Sequence, residues 1–176
     1  MRIAFTGPES SGKTTFSKWL SAQLSNCRLV NEYAREYLLE HQLIRATEED
    51  FQKIVRQQNI LFKALRSYSH EIFDTDIFVL RIWNEEVFNL KLSELELNVS
   101  NCMDIHFLCF PDVEWESDPL RSAPDQADRN RLFEKYKTEL IHHQARFVIL
   151  QGSFEEKIKT IIESLNNLGT ITLKQL

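Results

Sequence analysis

Eight residues near the start of the chain, Gly7-Pro8-Glu9-Ser10-Ser11-Gly12-Lys13-Thr14, carry its clearest chemistry. They match G-x-x-x-x-G-K-[ST], a pattern in which each fixed position has a physical task. Glycines let the backbone curl around an anion where a side chain would block the turn. Successive N–H groups then point inward at the start of a helix, whose dipole adds to their attraction for negative charge. Lys13 can reach the outer phosphates of a nucleoside triphosphate, and the Thr14 hydroxyl can hold Mg²⁺. The chain has only 4 glycines, so the pairing of Gly7 and Gly12 here is not the by-product of a glycine-rich loop. Gly7, Glu9, Ser10, Ser11, Gly12, Lys13, Thr14 and Thr15 are therefore the expected ATP-binding residues, with Lys13 also catalytic and Thr14 also a metal ligand.

Two further groups of residues suit phosphoryl chemistry. Asp74-Thr75-Asp76 follows an apolar run, Glu71-Ile72-Phe73. An aspartate there can hold the metal through water or take the proton from an acceptor hydroxyl, and it can equally cap the next helix. Asp74, nearer the strand end, is favoured for metal or base, with Asp76 also held as catalytic and substrate-binding. Glu32 and Arg35 lie one helical turn apart. Glu32 can bind sugar hydroxyls or act as base, and Arg35 can hold a phosphoryl oxygen; the alternative is an intrahelical ion pair worth a few tenths of a kcal/mol. Pro111 to Asp128 concentrates prolines and charges, with Arg121 inside it and Arg129 and Arg131 beyond. This segment, about 112–128, reads as a lid whose arginines neutralise a transferring phosphoryl group. Trp115 and Tyr33 are the rings available to a flat substrate. The five histidines show no ligand spacing.

The elements that must position these residues alternate. Arg2–Thr6, Cys27–Val30, 71–73, 104–110 and 146–150 are apolar runs of strand length. Between them lie stretches of helical spacing: 15–24, one from about 31, one after the capping box at Thr47 to Asp50, 77–90, 92–99, 130–143, and a last one after Ser153-Phe154-Glu155-Glu156. Core contacts in 77–90 are expected from Ile82, Trp83, Val87, Phe88 and Leu90. The tail beyond Gly169 is either an edge strand or disordered. Strict alternation implies a parallel sheet covered on both faces, a single three-layer α/β domain over 1–176 with a five-stranded parallel sheet. In such a sheet the ligand lies outside the carboxyl ends of the strands, which also selects Gly152 for the nucleotide.

Composition narrows the function. At 176 residues the chain suits one domain, and a net charge of −5 argues against nucleic acid as partner. No apolar run reaches membrane-spanning length, and no secretory leader precedes the first strand. Cys27, Cys102 and Cys109 fit no zinc spacing and read as reduced packing residues of a cytoplasmic protein. Nothing in the sequence speaks to oligomeric state.

With these motifs in place, the chain resembles the nicotinamide riboside kinase domain of NAD-metabolism proteins, within the AAA-28-like group of small phosphate-loop kinases and ATPases. The resemblance covers nearly the whole chain. It rests on G-P-E-S-S-G-K-T-T, E-Y-A-R-E-Y at Glu32 to Tyr37, D-T-D at Asp74 to Asp76, and P-D-V-E-W-E-S-D-P-L-R at Pro111 to Arg121. It implies transfer of the ATP γ-phosphate to a ribosyl 5′-hydroxyl. It also implies ATP and Mg²⁺ at Gly12, Lys13 and Thr14, metal and acceptor at D-T-D, and a lid role for Arg121. The chain departs from that pattern at Asn31, where the family has an aromatic residue, and at Ile77-Phe78-Val79, where it favours threonines. The expected function is a small-molecule kinase acting on a nucleoside-like acceptor, with nicotinamide riboside as the named candidate. The alternatives are another nucleoside or nucleotide kinase, or an ATP-binding regulatory ATPase module. N-K-x-D and D-x-x-G are missing, which disfavours a GTPase.

Overall fold

Five short strands, β1 (Arg2–Thr6), β2 (Cys27–Val30), β3 (His70–Phe73), β4 (Ile105–Cys109) and β5 (Phe147–Leu150), form one sheet in the order β2-β3-β1-β4-β5. Every pairing is parallel, from Arg2 opposite Glu71 to Cys109 opposite Leu150. The helices are α1 (Lys13–Gln23), α2 (Tyr33–Glu40), α3 (Glu48–Lys63), α4 (Ile77–Phe88), α5 (Gln126–His142) and α6 (Phe154–Asn167). This is the expected α/β phosphate-loop fold. The computed structural model describes residues 1–64, 68–90, 103–115, 120, 123 and 125–169. The helix expected at 92–99, the tail beyond Gly169, Cys102 and Arg121 lie outside them.

Strand periodicity sorts the core into two layers. Along β1 and β4, Ile3, Phe5, Ile105, Phe107 and Cys109 face Phe16 and Leu20 of α1, Leu24 just past its end, and Ile161 and Leu165 of α6. The intervening residues Ala4 and Leu108 face α2, α3, α4 and α5 through Tyr37, Phe51, Phe78 and Phe133. Alternation on both faces of a buried parallel strand reads as a continuous apolar run, which is how the strands stood out in the sequence. Cys109 is a packing residue, and burial pushes its thiol up to about 12.

Both expected capping boxes form. Thr47 and Asp50 close reciprocally at the start of α3, as do Ser153 and Glu156 at the start of α6. Three expectations need correction. Helix α4 stops at Phe88, where Asn89 turns left-handed (φ 52°), and Val87 within it and Leu90 beyond it are 49% and 38% exposed rather than in the core. Helix α5 begins at Gln126, four residues early, because Asp125 caps it through the Ala127 N–H at 2.6 Å. The span 112–128 is accordingly not all loop: 126–128 is helix, and Asp112 is fastened to β5–α6, accepting from the Gly152 N–H at 2.7 Å.

Far from the phosphate loop, at the opposite end of the strands, Arg2 meets Glu71 at 2.7 Å with both side chains buried. Arg2 also donates to the Ala64 carbonyl at the end of α3. This pair ties α3 to β1 and β3 and has a structural task. No described helix is long and apolar enough to cross a membrane.

Candidate active site

The phosphate loop leaves the carboxyl end of the central strand β1, with β3 on one side and β4 on the other. Gly7 adopts φ 129°, and a Cβ there would stand 2.7 Å from the Cys109 carbonyl oxygen. Gly12 is the left-handed N-cap of α1 (φ 89°), and a Cβ there would stand 2.9 Å from the Phe16 ring. Both positions demand glycine for close approach as well as for conformation. No side chain caps α1, so its first N–H groups are left for an anion. The Lys13 ammonium donates to the Gly7 and Pro8 carbonyls at 2.9 and 2.8 Å, and the Ser11 hydroxyl to Pro8 at 2.8 Å. Thr14 and Thr15 are exposed beside Lys13. Glu9 reaches across to accept from the Ala123 N–H at 3.1 Å, which places the run-up to α5 against the loop.

Asp74 sits just past β3, 7% exposed, and accepts from the Ser17 hydroxyl at 3.1 Å. Burial raises its carboxyl above the ordinary range, while the hydrogen bond from Thr14 and the charge of Lys13 pull the other way. A buried carboxylate beside two hydroxyls and a lysine suits Mg²⁺ held partly through water. No cluster of three or more His, Cys, Asp or Glu able to hold a metal occurs among the described residues. Glu32 occupies the N-cap position of α2 but gives that helix no side-chain cap. Burial is the main cause lifting its carboxyl; Lys13 opposes the lift, Asp74 adds to it, and Arg35 and Glu9 act more weakly. Glu32, Asp74 and Lys13, far apart in sequence, thus share one electrostatic environment.

Asp76 is placed differently. It is fully buried and its carboxylate is consumed: it accepts from Thr6 at 3.1 Å, from the Val79 N–H at 3.0 Å as N-cap of α4, and from His106 Nδ1 at 2.9 Å. The geometry gives Asp76 the capping and anchoring task rather than a place at the phosphates.

A cleft of about 320 Å³ opens beside the loop, lined by Gly12, Thr15, Phe16, Val113, Gly152 and Phe154 among others. Phe16 and Phe154 stack at 5.3 Å between ring centres, and Phe154 remains 44% exposed. Beneath them Lys157, 1% exposed, pairs with Asp112 and lies 5.8 Å above the Phe16 ring. Gly152 (φ 100°), the residue expected to serve the nucleotide, lies on the rim of this cleft.

Of the remaining expected residues, Tyr33 opens α2, and its N–H donates to Gln58 at 3.0 Å. Arg35 is exposed on α2, within the field felt by Glu32. Trp115, expected as a ring for a flat substrate, is half-buried under the Arg129 guanidinium, 5.5 Å from the ring centre. Sequence reasoning passed over Ser17, Lys157, Phe154 and His106. Three of them carried a signal: Ser17 stands one turn after Thr14, Lys157 interrupts the apolar face of α6, and His106 sits in an apolar strand.

The family model of the AAA domain designated AAA_28 matches residues 2–157. No curated protein matches the chain in sequence. Among solved structures, a NadR protein in complex with NAD and AMP-PNP superposes with a TM-score of 0.70 at 18% identity, covering 99% of this chain and 51% of that one. The chain thus spans about half the length of NadR. A deoxyadenosine kinase from M. mycoides, with products dCMP and dCDP, superposes at 0.62 and 18% identity over 96% of this chain and 100% of that one. Shikimate kinase from Aquifex aeolicus does so at 0.56 and 22% identity, over 96% and 98%. These likenesses establish the fold of the phosphate-loop kinases. By the family match over most of its length, the chain belongs to the AAA_28 family of AAA domains.

Proposed function

We propose that the protein is an ATP-dependent kinase that transfers the γ-phosphoryl group to a hydroxyl of a nucleoside-like small molecule, with nicotinamide riboside the first candidate. The observation that carries this reading is the second carboxylate. Holding Mg²⁺ at Thr14 and Asp74 accounts for one acid beside Lys13, and ATP sensing requires no more. Glu32 is a second, held on a different strand end, with no capping duty and with burial raising its carboxyl. In the proposed reaction the acceptor hydroxyl gives its proton to Glu32 as its oxygen attacks the γ-phosphorus, and ADP leaves. A positioned base of this kind contributes about 10²–10⁴-fold in rate. Mg²⁺ held by Thr14 and Asp74 would supply charge neutralisation to the transferring group. Lys13 and the α1 N-terminus hold the outer phosphates, and Arg121, the arginine of the lid motif, adds positive charge for the transferring group. The cleft between Gly12 and Phe154 receives the adenine. The NadR superposition supports the named acceptor, since a NadR structure holds NR.

The deciding experiment is a nucleoside panel, nicotinamide riboside included, incubated with MgATP, with ADP and phosphorylated product both quantified. Stoichiometric product from at least one nucleoside is the expected result. ATP consumption that no nucleoside raises above the rate with water alone would replace the kinase reading with an ATP-binding regulatory module.

A further inference from the structure

Gln58 occupies a position on α3 where its buried neighbours are Phe51, Ile54, Val55 and Phe62. It is 1% exposed, a polar side chain in an otherwise apolar stripe. Its Oε1 accepts the Tyr33 N–H at 3.0 Å, satisfying one of the donors left open at the start of α2. That bond fixes the amide. Turning it over would set the NH₂ group against an N–H donor, so Nε2 must face the other way. Nε2 is then buried, carries two hydrogens and has no hydrogen-bond partner among the described residues. Buried amides of this kind are rarely left unsatisfied, and a group brought by a bound ligand is one partner that would account for this one. The amide head rests on the first turn of α2, one residue from Glu32, the proposed base.

We infer that Gln58 reads the acceptor: its Nε2–H donates to a carbonyl oxygen on the base of the nucleoside while Glu32 engages the sugar hydroxyl. This inference rests on the kinase reading. It also bears on the departure at Asn31. The chain lacks an aromatic residue there to stack the base, and an in-plane hydrogen bond from α3 recognises the ring edge in place of its face. The acceptor class is a nucleoside presenting a carbonyl, either an exocyclic carboxamide or a ring oxo group.

The test compares matched acceptors that differ only in that carbonyl. Nicotinamide riboside is set against the pyridinium riboside without its carboxamide, and inosine against purine riboside, which lacks the 6-oxo group. In the wild-type protein, kcat/KM is expected to favour the carbonyl member of one pair at least tenfold, the scale of one buried hydrogen bond; which pair responds separates carboxamide from ring oxo. In Gln58→Met, of similar volume, the preference is expected to fall to about twofold or less, with KM for MgATP unchanged and a cooperative thermal transition retained. Should Gln58→Met not fold, Gln58→Glu keeps an oxygen on the Tyr33 N–H and replaces the donor, and the same loss of preference is expected. Phosphorylation of nucleosides with no carbonyl preference in the wild type, or a preference unchanged in a folded Gln58 variant, overturns the inference while the kinase reading stands. No nucleoside phosphorylated at all overturns both.

Discussion

The two sides of the phosphate loop are built to different standards. On the side of Gly152 and Phe154 the polar groups are paired: Lys157 with Asp112, Asp112 with the Gly152 N–H, and Ser153 with Glu156 in a closed box. On the side of Glu32, Asp74 and Gln58 the pairing is incomplete: Asp74 accepts from Ser17 and Gln58 Oε1 from the Tyr33 N–H, but other polar atoms are left over. Both carboxyls are pushed above their ordinary range by burial, and Gln58 Nε2 and Thr75 Oγ1 have no partner among the described residues. The first side is finished as folded, and its task is to hold a ligand by shape and backbone. The second keeps spare polar capacity at a cost in stability, which is the signature of a place where chemistry and selection occur.

Removing Lys13 acts where the two sides meet and has the largest expected effect. Lys13→Ala should reduce phosphoryl transfer below detection, because a single preorganised donor is worth about 10²–10³-fold and this one also neutralises charge on the phosphates. The fold should be untouched, since among the described residues Lys13 hydrogen-bonds carbonyls of its own loop, Gly7 and Pro8. Product formation and thermal melting, measured together, check this. Full activity in the variant would remove the loop from the mechanism.

The next effect separates the two acids. Glu32→Gln should lower kcat by about 10²–10⁴-fold while MgATP still binds, whereas Asp74→Asn should weaken MgATP binding and transfer together. The pH dependence follows from the direction of the shift. A base must be ionised, and burial raises Glu32, so the acid limb of kcat/KM should lie above the ordinary glutamate value of about 4.3 and vanish with Glu32→Gln. Stability runs in the opposite sense. A carboxyl raised on folding stabilises the protein below its unfolded pKa, and that contribution is lost as pH rises through the folded value. Glu32→Gln should therefore melt at higher temperature than the wild type near neutral pH, with the difference disappearing below about pH 4. An inactive variant that is also less stable at pH 7 would mean that Glu32 supports the fold.

The contrast between the two sides also explains what could be read from the sequence. The loop from Gly7 to Thr14 is contiguous, and its geometry is enforced by residue type: left-handed Gly12 and the close pass of Gly7 under Cys109 leave little choice. The capping box of α6 is local in the same way, so the nucleotide side was legible. On the other side each group comes from a separate element: Glu32 before α2, Gln58 on α3, Asp74 after β3. Their meeting depends on the order β2-β3-β1, which alternation alone does not specify. Asp74 and Asp76 stand two residues apart with the same chemistry, and strand parity sends one to the loop and the other to His106. That partner is thirty residues further on in an apolar strand, out of reach of any local pattern. The early start of α5 was masked in the sequence by Pro124, a loop-forming residue that stands directly before the Asp125 cap.

The smallest effect probes whether the paired side can be loosened without touching the chemistry. Lys157 is buried, but Asp112 keeps 23% of its side chain exposed. Replacing the lysine by methionine removes the buried cation, fills its volume against Phe16, and leaves a carboxylate that water can reach. The usual penalty for breaking a buried pair, about 3–5 kcal/mol, arises from stranding a charge away from solvent, and here the surviving charge is not stranded. Lys157→Met should therefore shift the melting temperature by no more than about 4 °C in a chain of this size. Its effect should fall on the cleft. Asp112 holds the Gly152 N–H, and with the ammonium gone that carboxylate can turn outward, loosening the rim of the cleft proposed to receive the adenine. KM for ATP should rise severalfold, up to about tenfold for a loss of about 1.4 kcal/mol, with kcat for the best acceptor nearly unchanged. Steady-state kinetics at varied ATP and saturating acceptor distinguish the outcomes. A fall in kcat at constant KM would show that the β5–α6 turn is coupled to the transfer step, and the division of the site into two independently built sides would fail.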